Sequence, residues 1–132
     1  MSATRRTLDN GSPMERAHAY SRAVRVGNHI TVGGTAAVGP DGETVGVGNA
    51  GAQTAHIIAI IADALERLGA SLDDVTITRI ILTDIEDWRA VAAERAKHFE
   101  SSRPAMTITQ VNRFVNPEWL VEIEAEAVVP TR

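Results

Sequence analysis

The sequence predicts an α+β fold, one mixed sheet with two helices on a single face, and three observations carry that prediction. Short β-branched runs alternate with two segments of helical period, in the order ββαβαββ. The last strand alternates strictly, with Val121, Ile123, Ala125 and Ala127 on one side and Glu122, Glu124 and Glu126 on the other. Two helices can cover only one side of such a sheet, and most strands are too apolar to leave the second side to water, so self-association is expected.

The elements follow in order. Residues 1–19 read as polar and irregular, with Asn10-Gly11-Ser12-Pro13 as turn chemistry. Ala23–Val26 and His29–Val32 form a hairpin across Gly27-Asn28, a two-residue connection suited to a primed turn. A glycine-rich loop runs from Gly33 to Gly48. From about Asn49 to Leu68 the spacing of Ile57, Ile58, Ile61, Leu65 and Leu68 makes one apolar stripe. Gln53, His56, Asp63, Glu66 and Arg67 read as lying largely on the other side, and Gly69 as a left-handed C-terminal cap. Val75–Ile81 is a buried strand by its β-branched content. Thr83 with Glu86, or Asp84 with Asp87, can cap a second helix reaching Phe99, with Ile85, Trp88, Val91, Ala92 and Phe99 as its apolar positions. Strands near Ala105–Val111 and Leu120–Val128 end the chain.

Composition narrows the function. At 132 residues, 1–132 fits one domain with a core that needs no staples. With no cysteine, disulfides and thiolate catalysis are excluded. A net charge of −4 argues against non-specific nucleic-acid binding. No apolar run approaches the roughly 20 residues of a membrane helix, and no apolar stretch follows Met-Ser-Ala-Thr-Arg-Arg as in a secretory signal. A soluble cytoplasmic protein is expected. The histidines at 18, 29, 56 and 98 lack ligand spacing, so no metal is implied. A nucleophile elbow and a phosphate loop are both missing, and no cofactor is expected.

Five stretches at characteristic spacing resemble one family: Tyr20-Ser21-Arg22-Ala23-Val24, Val32-Gly33-Gly34-Thr35, Leu72-Asp73-Asp74-Val75, Leu82-Thr83-Asp84 and Val121-Glu122-Ile123-Glu124-Ala125. Over about 20–128 the chain is similar to the Rid proteins, the reactive-intermediate deaminases. That resemblance implies a chorismate-mutase-like fold, a homotrimer with helices outside, and three small-molecule clefts between subunits. It further implies Glu122 as the cleft carboxylate that positions water or relays protons, Tyr20 as the cleft tyrosine, and Gly34 as the turn glycine. The family's Pro-Ala-Arg-Ser is Pro104-Ala105-Met106-Thr107 here, so Met106 stands for the arginine that holds the substrate carboxylate and Thr107 keeps a hydroxyl. Gly33 and Thr35 replace the serine and glutamine of the turn, and Ala92 an asparagine of the second helix.

The residues themselves leave alternatives open. Tyr20 can be a packing residue, the three glutamates a solvated strand face, and Met106 either core filling or the floor of an apolar pocket. Trp88 and Trp119 read as core or interface anchors. Two functions remain. One is a trimer that binds or hydrolyses a small metabolite without the usual 2-imino acid deaminase activity. The other is an active imine or enamine deaminase that uses Glu122 and a substitute arginine, Arg95 or Arg113. Some Rid proteins are called endoribonucleases, but an acidic chain without a basic, aromatic-laced surface gives that activity no support.

Overall fold

Alternation in sequence becomes alternation in burial. The computed structural model describes residues 4–130 and contains a six-stranded mixed sheet. Its strands are β1 (Arg5–Leu8), β2 (Ala23–Val26), β3 (His29–Thr35), β4 (Val75–Leu82), β5 (Ala105–Gln110) and β6 (Val121–Val128). Three helices accompany them: α1 (Pro13–Ala17), α2 (Ala50–Arg67) and α3 (Trp88–Phe99). The order across the sheet is β1-β2-β3-β6-β4-β5, in which only β4 and β5 are parallel.

In β6, Val121, Ile123, Ala125 and Ala127 are buried, while the glutamates between them are half-buried. Register extends this division: Ile80 and Leu82 of β4, with Ile30 and Val32 of β3, share the covered face with the apolar side of β6. Ile57, Ile58, Ile61, Leu65 and Leu68 are the buried stripe of α2 that packs there, and Val91 and Phe99 of α3 join the same core. Ile85 and Trp88 are exposed, so the second helix contributes fewer core contacts than its apolar letters suggested.

Local chemistry sets the ends of these elements. At the β2–β3 turn Gly27 takes φ +58° while Asn28 does not, a type II′ arrangement. Asn49 caps α2 by accepting the N–H of Ala52, and Gly69 closes it at φ +84°. Asp84 accepts the N–H of Glu86 in a 3-10 turn (Ile85–Asp87) that leads into α3.

Two expectations need correction. Residues 1–19 are not irregular: they hold β1 and α1, although residues 1–3 lie outside the described residues. Arg-Arg-Thr-Leu is too short and polar to announce a strand. It forms by pairing with β2, and Arg6 and Arg25 sit side by side, donating to the last carbonyls of α2, Arg67 O at 3.3 Å and Leu68 O at 2.6 Å. The short α1 is set by a capping box between Ser12 and Glu15, in which buried Glu15 accepts the N–H groups of Ser12 and Asn10.

Gln53 is likewise not on the polar side of α2. It stands four residues before Ile57, on the apolar stripe, and is fully buried. Its amide donates to the carbonyls of Gly46 and Glu118 and accepts the N–H of Leu120, tying the glycine loop and the β5–β6 connection to the helix. Replacing it by a similar-sized apolar residue would leave the Glu118 carbonyl and the Leu120 N–H without the Gln53 partner, while Gly46 O keeps the N–H of Asn49. Gln53→Leu is therefore expected to lower unfolding free energy by about 3 kcal/mol, measured by urea titration against the parent.

Candidate functional site

One side of the sheet has no helix on it, and there Glu122 meets a distortion of β3. Between Val32 and Thr35 the register of β3 against β6 shifts, so Gly33 and Gly34 form a bulge opposite Glu124 of β6. Neither glycine uses a positive φ. What Gly34 supplies is room, because a Cβ there would stand 2.6 Å from Oε1 of Glu122. Across the sheet, Glu122 lies in register with Ile81 of β4.

Arg22 holds this bulge from the other side. Its Nη1 donates to the carbonyl of Gly34 and to the hydroxyl of Thr35, each at 2.7 Å, and to the carbonyl of Gly33 at 3.3 Å. The buried Thr35 hydroxyl donates in turn to Gly33 O at 2.8 Å. Burial raises the Glu122 carboxyl above the usual carboxylate range; the Arg22 charge pulls it down and the Glu124 charge pushes it up again. The result is a half-buried carboxyl that holds a proton more readily than a surface glutamate.

The two remaining glutamates of β6 are differently occupied. Arg79 of β4 hydrogen-bonds Glu126 and approaches Glu124 to 3.7 Å, and His29 Nε2 lies 3.3 Å from Glu126. The bond to Arg79 is the main reason that the Glu126 carboxyl sits below its ordinary range. This quartet offsets part of the negative charge in the middle of the open face, and Glu122 stands outside it.

The residues expected from sequence do not all converge within one subunit. Glu122 and Gly34 are in contact. Thr107 shares their face, in register with Arg79, one row away from Glu122. Met106 does not share it. Its partner in β4 is Thr78, which is buried on the helix side, so Met106 leaves β5 toward the opposite face and is 43% exposed. That exposure removes the core-filling reading. Tyr20 is 42% exposed, and its N–H donates to Glu15 O.

Of the candidate substitute arginines, Arg95 is buried on the helix side with Nε on Thr78 Oγ1 at 2.7 Å and Nη2 on Pro104 O at 3.1 Å. Arg113 donates from Nε to Phe114 O in its own loop. Sequence reading passed over Arg22, although it stands inside the Tyr20–Val24 stretch. Its value comes from the bulge that it faces, and nothing in the chain announces a bulge except two adjacent glycines. Among the described residues no cluster of three or more His, Asp or Glu side chains is arranged to hold a metal ion.

Comparison with known proteins then decides the family. The family model described as Endoribonuclease L-PSP matches residues 11–129. The 3-aminoacrylate deaminase RutC of Acinetobacter baylyi is 36% identical over 122 residues, covering 92% of this chain and 95% of that protein. This chain belongs to the Rid family. A RutC family protein of Pyrococcus abyssi is 34% identical over 108 residues, 82% of this chain and 84% of that one. Among solved structures, a member of the YjgF/YER057c/UK114 family from Mycobacterium tuberculosis is 40% identical, with a TM-score of 0.86 over 96% of this chain and all of that one. The Rid protein YyfA of Yersinia pestis, at 24% identity and a TM-score of 0.85 over 96% of this chain and all of that one, shows the shared fold. The chorismate-mutase-like α+β architecture expected from the Rid resemblance is the one present.

The raised Glu122 carboxyl has a consequence for stability. Its folded-state proton affinity exceeds the unfolded one, so its contribution is fully present below the unfolded value, near 4, and is lost as pH rises through the folded value. Glu122→Gln, which cannot ionise, is expected to melt at or above the parent temperature at pH 7. That advantage should disappear at acid pH, as thermal melts across pH 3 to 8 would show.

Proposed function

We propose that this Rid protein is a homotrimer whose clefts between subunits bind a small metabolite and hydrolyse a C–N bond in it, with Glu122 handling the water. The observation that carries the reading is the half-buried Glu122 carboxyl, lifted from its usual range and lodged against the glycine bulge. General acid–base work needs a group whose proton affinity lies nearer to neutrality than that of a surface glutamate. In hydrolysis of a protonated imine, Glu122 takes a proton from water as its oxygen bonds to carbon, giving a carbinolamine. It then gives that proton to nitrogen, and as the C–N bond breaks the hydroxyl proton passes back to Glu122, leaving a carbonyl compound and ammonia. RutC of Acinetobacter baylyi, named as a deaminase, offers a parallel in the same family.

Two features support assembly. The open sheet face carries the half-buried apolar side chains Val24, Ile77 and Ile81 without a helix over them. Met106 and Glu122 leave opposite faces of the sheet, so a cleft that uses both must draw on two subunits. Tyr20, Gly34 and Thr107 complete the proposed site. Light scattering is expected to report about three times the 14.1 kDa subunit mass; a monomer at micromolar concentration would remove the cleft from the proposal.

Met106 separates this chain from the usual deaminases. Methionine has no donor, whereas arginine gives a carboxylate two charge-assisted hydrogen bonds of roughly 1.5–3 kcal/mol each. Losing that pair weakens affinity by several orders of magnitude at about 1.4 kcal/mol per factor of ten. The side-on edge of Arg95 is spent on Thr78 and Pro104, so it does not take over. Turnover of 2-iminopropionate is thus expected to be far below that of an arginine-bearing relative. Met106→Arg should raise it about tenfold or more, and adding Glu122→Gln should remove the gain. Full turnover by the parent chain would overturn this part of the reading.

A further inference from the structure

Arg22 is anchored by one nitrogen alone. Nη1 meets Gly33 O, Gly34 O and Thr35 Oγ1, while Nε and Nη2 donate to no acceptor among the described residues. Among the described residues no carboxylate lies within ion-pair distance of it. The Nε–Nη2 edge of a guanidinium is a planar two-donor fork that matches a carboxylate. Three acceptors on Nη1 fix the plane of that fork in advance, which removes much of the ordering cost of binding.

The fork also stands in the right place. The neighbouring Ala23 faces the core, so Arg22 is on the open side, where its charge reaches Glu122. Four other arginines are committed: Arg79 to Glu124 and Glu126, Arg25 and Arg6 to the end of α2, and Arg95 to Thr78 and Pro104.

We propose that Arg22 is the anion-binding residue of this site, receiving the carboxylate of a small ligand on its Nε–Nη2 edge beside Glu122. This rests on the reading of the Glu122 face as the ligand site. It differs from the family arrangement, because the anion sits at the β3 bulge and not at β5, so the ligand lies the other way round. Glu124, the next carboxylate along β6, is engaged by Arg79. The ligand class is a small monocarboxylate other than a 2-imino acid, with its C–N group separated from the carboxylate by at least one further carbon and placed over Glu122.

Benzoate and its neutral analogue benzamide test the assignment on the full chain. Titration calorimetry should show benzoate binding and no benzamide binding, and the Arg22 Nε–H signal should move in 15N NMR spectra only with benzoate. Arg22→Lys keeps the charge without the fork and should bind about tenfold more weakly; Arg22→Gln should lose binding at unchanged subunit assembly. Equal binding of the two probes, an unmoved Nε–H signal, or benzoate affinity that survives Arg22→Gln would overturn the proposal. Should Arg22→Gln not fold, the NMR signal of the parent chain decides. Failure here with Glu122→Gln still abolishing turnover would discard Arg22 and keep Glu122; benzoate binding at Arg22 with turnover indifferent to Glu122→Gln would do the reverse.

Discussion

The structure depends on the last strand of the chain lying in the middle of the sheet. β6 pairs antiparallel with β3 on one side and β4 on the other, so the hairpin at the N-terminal end and the parallel pair at the other are joined only through it. Such a strand must satisfy two environments at once. Its small apolar side chains, Ala125 and Ala127 among them, let α2 approach closely, while its glutamates stand on the side without a helix. A slip of one residue would put three carboxylates beneath α2 and expose the core positions, which is why strict alternation specifies this register strongly.

The same constraint creates an electrostatic problem that the fold resolves unevenly. Three carboxylates on one strand face stand two residues apart and repel one another. Arg79 on the adjacent β4 lies in register with Glu124 and bonds Glu126, and His29 on β3 adds a second donor to Glu126. Among the described residues Glu122 has no cation within bonding distance. It has a bulge that makes room for it, partial burial, and Arg22 at a longer reach. Two carboxylates have a basic side chain beside them and the third does not, so the environments along a single strand are divided by what its neighbours present.

The glycine pair illustrates how little of such a site is local. Gly33 and Gly34 would be read in isolation as loop residues, and the loop was expected to begin there. Instead β3 continues through them to Thr35, with the extra residue absorbed as a bulge. The three hydrogen bonds from Arg22 make that distortion a defined shape, and Thr35, buried beneath it, completes the link.

What the sequence determined by itself is whatever is written in spacing: the hairpin at Gly27-Asn28, the stripe and caps of α2, the alternation of β6, and the family, whose motifs lie in order along the chain. Glu122 and Gly34 were singled out by the same route, since motif position is a linear property, and the fold brings the two together. Tertiary structure decided the rest, because it depends on which strands become neighbours. β1 is a strand only because β2 is beside it and the end of α2 gives its arginine a carbonyl; four polar residues carry no period of their own. Gln53 looks polar and surface-bound until three backbone groups from distant loops converge on it. Met106 and Glu122 sit together in the family's motif list, yet the parallel pairing of β5 with β4 sends them to opposite faces. Arg22 acquires its meaning from a bulge in another strand, a juxtaposition that no one-dimensional pattern can express.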